Sequence, residues 1–203
     1  MHLFLEGPSG VGKTSLLLGE MGELRREAGG FLTQRLTQNG KTRGFRLSSP
    51  RFSALSSLLM PSGASDVFIW RREASGKPSE WREEPFLKAE RTLLRGHEGW
   101  RLVLLDEIGG CDLLVPVFRE RILSLLKGEV PCLGVFKAPY NAIRTAHNLR
   151  LDPSFQEIYT NFRALLLADP RIELAEMTEE NKPDVRHRVR CFIKEVLAQS
   201  AVP

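Results

Sequence analysis

The segment Gly7–Thr14 constrains this chain more than any other stretch, because it matches the pattern G-x-x-x-x-G-K-[ST] at every fixed position. It follows the short apolar run Leu3–Leu5, which predicts a buried strand, and it precedes leucines at helical spacing. Glycines let such a loop curl until successive backbone N–H groups face one point, and the N-terminus of the helix adds partial positive charge there. The sequence therefore predicts a phosphate-binding P-loop between a strand and a helix.

Two side chains of the predicted P-loop have expected roles. Lys13 should reach the β- and γ-phosphates of a nucleoside triphosphate, and the Thr14 hydroxyl should contact a magnesium ion. With glycine at about 7% of residues, a chance match in a chain of this length has a probability on the order of 1%. The residues expected to bind the nucleotide are Gly7, Pro8, Ser9, Gly10, Val11, Gly12, Lys13, Thr14 and Ser15.

An acidic pair, Asp106 and Glu107, directly follows the apolar run Leu102–Leu105. Because ligands of parallel sheets bind at the carboxyl ends of strands, both carboxylates are expected to lie beside the P-loop. We expect Asp106 to hold magnesium, directly or through water, and Glu107 to be the general base for the attacking water, with Lys13 as the second catalytic residue. Such a pair favours hydrolysis over transfer to a bound metabolite. The alternative is that Glu107 is a solvated loop charge.

Apolar runs of strand length alternate with helical patterns, which predicts an α/β fold with a mostly parallel sheet in one domain over residues 1–203. A first helix is predicted from about Lys13 to Ala28, ended by Gly29-Gly30. β-prone residues on both sides of Asn39-Gly40 predict a hairpin after this helix. Further helices are predicted at Trp81–Arg95, Pro116–Lys127, Asp152–Phe162 and from Pro183 onward. A loop with a short helix is predicted at 48–66 and a turn at Ser75–Pro78, while 138–150 show no pattern.

The composition narrows the class of partner and the compartment. The net charge of +4 suits an anionic ligand, but no basic stripe with interleaved aromatics is present, so the sequence does not favour nucleic-acid binding. The three cysteines (Cys111, Cys132 and Cys191) form no CxxC pair, which predicts reduced thiols in a cytoplasmic protein. No apolar run approaches the ~20 residues of a membrane span, and no signal peptide is expected.

Together these motifs resemble those of a family of small P-loop nucleoside triphosphatases, the one that includes the cancer-related nucleoside triphosphatase. The likeness rests on four blocks that occur in the same order. They are Gly7–Ser15, similar to the family's GPPGVGKTT; Gly30–Thr33 with Arg43–Phe45, similar to its GF-x-T hairpin and return strand; Leu105–Gly109, similar to its IDEIG; and Glu180–Lys182, similar to its ENR. Residues 48–100 and 138–165 match this family poorly.

The resemblance implies a three-layer α/β sandwich of the additional-strand, RecA-like class of P-loop proteins, and slow hydrolysis of several nucleotides. It also implies a site made of Lys13, Thr14, Asp106 and Glu107, with Asn181 and Lys182 beside the base. This chain departs from the family after IDEIG, where Gly110, Cys111 and Asp112 stand in place of Lys-Met-Glu. The stretch 138–163 also looks longer than in the family.

Several other residues have two interpretations each. Arg35 or Arg43 on the hairpin is a candidate arginine finger, although surface arginines are the commoner case. Cys111 is either a reactive thiol or a small apolar filler. Asn181-Lys182-Pro183-Asp184 has the N-K-x-D spacing of guanine-specific GTPases, but it does not directly follow its strand, and Asp184 also suits the positive end of the last helix. We therefore predict that ATP and GTP are both accepted.

The function that these residues favour is magnesium-dependent hydrolysis of ATP and GTP to the diphosphate and phosphate. Two alternatives stay open on the same fold. A small-molecule or nucleotide kinase needs an acceptor site and an arginine-rich lid, and residues 138–163, with Arg144, Arg150 and Arg163, could supply the lid. A nucleotide-switched binding protein or chaperone would use hydrolysis only to reset its state, for a protein partner that the sequence does not identify.

Overall fold

The computed structural model describes residues 1–51, 65–70, 79–96 and 99–199 of the chain. Most of the loop predicted at 48–66 and the whole turn predicted at 75–78 lie outside these described residues. The strands are β1 (His2–Glu6), β2 (Ala28–Gln38), β3 (Lys41–Ser48), β4 (Val67–Trp70), β5 (Glu80–Trp81), β6 (Leu102–Ile108), β7 (Cys132–Phe136) and β8 (Ile172–Glu176). The helices are α1 (Lys13–Met21), α2 (Glu84–Leu93), α3 (Pro116–Lys127), α4 (Pro139–Leu149), α5 (Ser154–Ala168) and α6 (Lys182–Gln199).

These strands form one sheet in the order β5-β4-β3-β2-β6-β7-β1-β8. The neighbours from β2 to β8 in this order pair in parallel, whereas β3, β4 and β5 add an antiparallel edge. Strand β7 lies between β1, which leads into the P-loop, and β6, which ends in the acidic pair. This inserted strand distinguishes the additional-strand class, so the predicted fold class is confirmed.

Helices cover both faces of the parallel strands, which confirms the predicted three layers. Helices α1 and α6 pack on one face, and α2, α3 and α5 pack on the other. Successive side chains of β1 point to opposite faces of the sheet. Leu3 and Leu5 pack in the core beneath α1 and α6, and Phe4 packs in the core beneath α2, α3 and α5. Within the described ranges, no helix has the length and apolar character that a membrane crossing needs.

The predicted hairpin is present, with β2 and β3 pairing antiparallel around Asn39-Gly40. Both turn residues have positive φ, 51° and 71°, as a type I′ turn requires, and asparagine and glycine tolerate this conformation best. The register places Thr33 opposite Leu47 and Arg35 opposite Phe45. Because β2 also pairs with β6, the hairpin is fixed beside the acidic pair.

The first helix ends earlier than the sequence predicted. Helix α1 stops at Met21, a 3₁₀ segment follows, and β2 begins at Ala28. The α-helix ends because Gly22 has a φ of 49°, which does not continue helical geometry. Gly29-Gly30 lies inside β2 instead of terminating the helix. A Cβ on the second of these glycines would collide with the Leu104 carbonyl oxygen, so the pair allows two strands to approach closely.

Three other regions differ from the sequence-based expectations, one of them without a predicted element. Residues 138–150 contain α4, which begins at Pro139, a residue suited to the first turn of a helix. Helix α5 continues through the apolar run Ala164–Ala168, because part of that run packs into the core. Helix α2 begins after Trp81, since this residue pairs with β4 as part of β5.

His2 is a buried titratable group at the start of strand β1. It is 1% exposed, and its Nδ1 accepts a hydrogen bond from the Cys132 backbone N–H at 3.0 Å. Burial, helped by the N-terminal ammonium and Arg171, lowers the pKa of His2 from its ordinary 6.5 to about 4. A proton on Nδ1 would face the Cys132 N–H, so the protonated ring has to lose this hydrogen bond.

We expect His2→Asn to flatten the pH dependence of stability between pH 6.5 and about 4. In this window the unfolded chain binds a proton that folded His2 does not, so the free energy of unfolding of the parent falls by up to about 3 kcal/mol as pH decreases. Asparagine keeps an acceptor for the Cys132 N–H but does not titrate. Urea unfolding at several pH values in this window gives the free energy of unfolding of both proteins. The contributions of the carboxylates cancel in the difference between the two free energies. Parallel curves would contradict this role of His2.

Candidate nucleotide site

The P-loop leaves the carboxyl end of β1 and enters α1 at Lys13. Gly7, Gly10 and Gly12 have φ of 131°, 91° and 93°, in the left-handed region that favours glycine. A side chain on Gly7 would also collide with the Met177 carbonyl oxygen. The loop conformation predicted from the motif therefore depends on glycine at its fixed positions.

The P-loop borders a cleft of about 340 Å³, which we call the phosphate cleft. Of the nine P-loop residues predicted to bind the nucleotide, two do not line it. Pro8 is exposed on the outside of the loop, and Val11 is packed in the core beneath α1. Seven of them do: Gly7, Ser9, Gly10, Gly12, Lys13, Thr14 and Ser15. The cleft therefore brings most of the predicted set to one surface.

Lys13 is folded over the P-loop. Its Nζ donates to the carbonyl oxygens of Gly7 at 2.9 Å and Pro8 at 2.7 Å. Burial lowers the pKa of Lys13, and the Lys137 charge acts in the same direction. The ammonium group is thus held at the centre of the loop, where a phosphate anion would meet it.

The buried carboxylate of Asp106 connects three elements of the fold. Its Oδ1 accepts a hydrogen bond from the Thr14 hydroxyl at 2.8 Å, and its Oδ2 accepts one from the Thr33 N–H at 3.0 Å. The Thr33 hydroxyl in turn donates to the Asp106 backbone oxygen at 2.9 Å. Burial, followed by the charge of Glu107, raises the pKa of Asp106 to about 7. A cation bound at this carboxylate would offset the free-energy cost of burying its negative charge.

The oxygen atoms of Thr14 and Asp106 fit a magnesium ion. Magnesium prefers hard oxygen ligands in octahedral geometry with bonds of about 2.0–2.1 Å, which puts adjacent ligands about 2.9 Å apart. Thr14 Oγ1 and Asp106 Oδ1 are 2.8 Å apart. The two atoms predicted to hold the metal are therefore spaced as neighbouring ligands of one ion.

Glu107 is paired with Lys137, a residue that the sequence analysis did not identify as functional. Lys137 Nζ lies 2.8 Å from Glu107 Oε1, and the two side chains are 13% and 37% exposed. Glu107 has a φ of 67°, an uncommon conformation for a non-glycine residue that is found preferentially at functional sites. Burial alone would raise the pKa of Glu107, but the charge and hydrogen bond of Lys137 lower it. The ionised carboxylate therefore lies in the wall of the phosphate cleft.

The departure from the family pattern after IDEIG leaves room for Lys137. A Cβ on Gly110 would lie 3.2 Å from Lys137 Cε, so a larger residue would crowd the lysine side chain. The Asp112 carboxylate accepts hydrogen bonds from the N–H groups of Gly109 and Gly110 at 3.1 and 2.6 Å, which fixes the turn. Cys111 is buried, and burial raises the pKa of its thiol, which favours the interpretation as an apolar filler.

Asn141 of α4 is a second residue that sequence reasoning missed. It is buried, and its Nδ2 donates to the Gly7 carbonyl oxygen at 3.1 Å, while its Oδ1 accepts from the Arg144 guanidinium at 2.8 Å. Helix α4 therefore supports the beginning of the P-loop. The only sequence signal was its position shortly after β7, at the edge of the sheet where the site was expected.

The arginines that the sequence singled out have different surroundings. Arg35 lines the phosphate cleft, whereas Arg43, on the same hairpin, is not among the residues of its wall. Arg163, suggested for a lid, forms a two-armed ion pair with Glu6 at 2.6 and 2.9 Å. Arg150 is exposed at the end of α4. Of these four, Arg35 alone lines the phosphate cleft.

Asn181 and Lys182 lie at the start of α6, beside the P-loop. The Asn181 amide donates to the Glu176 carbonyl oxygen at 2.9 Å and accepts from the Thr178 N–H at 2.8 Å, so it holds the β8–α6 loop together. Lys182 Nζ is 3.5 Å from the position that a Cβ on Gly12 would take. Neither residue lines the phosphate cleft, and a base contact by either one stays a prediction.

Comparison with known proteins agrees with this geometry. The model of the NTPase family matches residues 2–160, well over half of the chain. The chain belongs to the NTPase family. It is 27% identical over 141 residues to the nucleoside-triphosphatase THEP1 of Thermotoga sp. (strain RQ2), which covers 68% of this chain and 74% of that protein. It is 25% identical over 137 residues to THEP1 of Methanocaldococcus jannaschii, which covers 66% of this chain and 76% of that protein.

Two solved structures share the fold of this NTPase-family protein. THEP1 from the hyperthermophile Aquifex aeolicus superposes with a TM-score of 0.62 at 20% identity, covering 95% of this chain and 99% of that one. The solution structure of a human cancer-related nucleoside triphosphatase superposes with a TM-score of 0.56 at 22% identity, covering 100% of this chain and 99% of that one. The resemblance found from the sequence motifs is thereby confirmed at the level of family and fold.

We expect Lys13→Ala to weaken binding of magnesium–ATP by about 10- to 100-fold, because one or two charge-assisted hydrogen bonds to phosphate are lost. Calorimetric titration measures the affinity. Lys194→Ala is a matched control, since Lys194 is exposed on α6 and lies outside the cleft wall. Equal affinity of Lys13→Ala and the control would show that the loop does not bind phosphate.

Proposed function

We propose that this NTPase-family protein hydrolyses nucleoside triphosphates to the diphosphate and phosphate, with magnesium and with little selectivity for the base. The observation that best supports the proposal is the position of two pairs beside the P-loop. Thr14 is joined to Asp106 and Glu107 to Lys137, at the carboxyl ends of parallel strands. The name nucleoside-triphosphatase that the relatives bear agrees with this function.

Phosphate binding is assigned to the P-loop backbone and Lys13. Lys13 now donates to two neutral carbonyl oxygens, those of Gly7 and Pro8. Charged phosphate oxygens accept stronger hydrogen bonds, so a triphosphate in the cleft would draw the ammonium away from these carbonyls. Asn141 then keeps the Gly7 carbonyl paired when the lysine moves.

Magnesium binding is assigned to Thr14 and Asp106. Bound there, the ion would neutralise charge on the phosphates. The residues themselves are held before it binds, because Thr33 occupies the second carboxylate oxygen of Asp106 and directs the first toward Thr14. Little reorganisation is then needed when the nucleotide arrives with its cation.

Glu107 is the proposed general base. It accepts a proton from water, the water oxygen forms a bond to the γ-phosphorus, and the bond from that phosphorus to the β–γ bridging oxygen breaks with its electrons on the diphosphate. Lys137 acts as a positioning residue, since it fixes Glu107 Oε1 at 2.8 Å. Lys137 also lowers the pKa of Glu107, which keeps the carboxylate ionised and able to accept a proton.

Glu107→Gln should lower turnover by about 10²–10⁴-fold while magnesium–ATP still binds, because the amide keeps an acceptor for Lys137 but cannot take a proton. Phosphate release and calorimetry on the same protein separate the two effects. Glu195→Gln, an exposed position on α6, provides the matched control. Full turnover by Glu107→Gln would assign proton removal to another group.

Base selectivity is predicted to be weak, with less than about tenfold preference between ATP and GTP, or roughly 1.4 kcal/mol. Asp184 is exposed in the first turn of α6 and does not line the phosphate cleft, and the Asn181 amide is bonded within its own loop. Asp184→Asn should therefore leave both affinities nearly unchanged. Loss of GTP binding together with new binding of xanthosine triphosphate would instead show a guanine-specific site.

A further inference from the structure

A second cavity, of about 150 Å³, lies next to the phosphate cleft. We call it the aromatic cavity. The two share one wall, made of Ser9, Thr33, Phe45, Glu107, Lys137 and Asn141. The proposed hydrolysis uses this wall from one side only, through the water at Glu107. The other side has no role in that reaction.

The inner surface of the cavity is aromatic. It is lined by Phe31, Phe45, Phe68 and Phe86, which come from β2, β3, β4 and α2. The ring centroids of Phe45 and Phe68 are 6.3 Å apart, and those of Phe68 and Phe86 are 4.9 Å apart, so the rings form a connected surface. A cavity of this volume has room for a molecule about the size of benzene. Aromatic walls favour a flat ring through stacked and edge contacts.

The rim of the aromatic cavity is polar. Glu107 and Lys137 stand on the side shared with the phosphate cleft, and Arg144 and Thr145 come from α4 on another side. Arg144 is fixed there by its 2.8 Å hydrogen bond to the Asn141 amide oxygen. A ligand that satisfies both regions has an apolar ring inside and a hydroxyl group at the rim.

The sheet order places this cavity on the side of the P-loop away from the predicted base contacts. The P-loop follows β1. On one side of β1 lies β8, which leads into the start of α6 with Asn181 and Lys182. Strands β7, β6, β2 and β3 lie on the other, and the aromatic cavity is built on β2 to β4. A nucleotide with its base toward α6 would therefore present its phosphates toward Glu107 and the cavity.

We propose that the aromatic cavity binds a second substrate, a ring-sized alcohol, to which the γ-phosphoryl group is transferred. The inference depends on the nucleotide site proposed above. The alcohol hydroxyl gives its proton to Glu107, its oxygen forms a bond to the γ-phosphorus, and the bond to the β–γ bridging oxygen breaks with its electrons on the diphosphate. Hydrolysis is the same reaction with water in place of the alcohol.

The test uses three ring-sized alcohols, benzyl alcohol, 3-pyridinemethanol and furfuryl alcohol. Each is incubated with the protein, magnesium and ATP, and ³¹P NMR gives the ratio of phosphate ester to free phosphate. We expect ester from at least one alcohol. Thr145→Trp, which fills the cavity from α4, should lower this ratio by about tenfold or more through steric exclusion. Ile143→Trp, exposed on the same helix and outside the cavity wall, should not change it.

Asn148→Trp blocks the cavity from a second position on α4, in case Thr145→Trp does not fold. Absence of ester with all three alcohols, while phosphate is still released, would overturn this inference and leave the proposed hydrolysis intact. An unchanged ester ratio in a folded tryptophan variant would also overturn it, because the transfer would not use this cavity. Absence of phosphate release, with or without alcohol, would instead overturn the proposed function.

Discussion

Hydrogen bonds to the buried carboxylate of Asp106 hold the elements of the proposed site together. Its two oxygens accept hydrogen bonds from Thr14 at the start of α1 and from Thr33 in β2, so three elements are joined at one group. A buried carboxylate without such partners would strongly destabilise the fold. Packings that leave Asp106 unpaired are therefore disfavoured relative to the one observed. The same bonds leave Oδ1 beside the threonine hydroxyl, where a cation fits. Structural and functional requirements therefore coincide at Asp106.

The insertion of β7 between β1 and β6 has consequences beyond the fold class. It separates the P-loop strand from the strand of the acidic pair by one position, and its own carboxyl end then delivers Lys137 against Glu107 at 2.8 Å. The helix that follows β7 contributes Asn141 to the Gly7 carbonyl oxygen. A single strand thus supplies the residue that orients the proposed base and, through α4, the residue that supports the loop.

Errors in the predicted elements have physical causes that a single sequence does not reveal. Gly29-Gly30 suggested a helix end, because glycine is common there, but glycine is also needed where strands approach closely, as β2 approaches β6 at Leu104. Helix α4 was missed because few of its residues are apolar and buried, and it packs through Ala142 and Leu149 into a core that it shares with α5. Both cases depend on neighbours that are distant in sequence.

The P-loop, the hairpin and the acidic pair could be predicted from the sequence, because each depends on contiguous residues with strict local requirements, such as positive φ at Gly7 or an acid at the end of an apolar strand. The residues that complete the site could not be predicted in this way. Lys137 meets Glu107 across 30 positions of sequence, and Asn141 meets Gly7 across 134. The four phenylalanines of the aromatic cavity likewise come from four separate elements. Such contacts follow from strand order and packing, which no local pattern specifies.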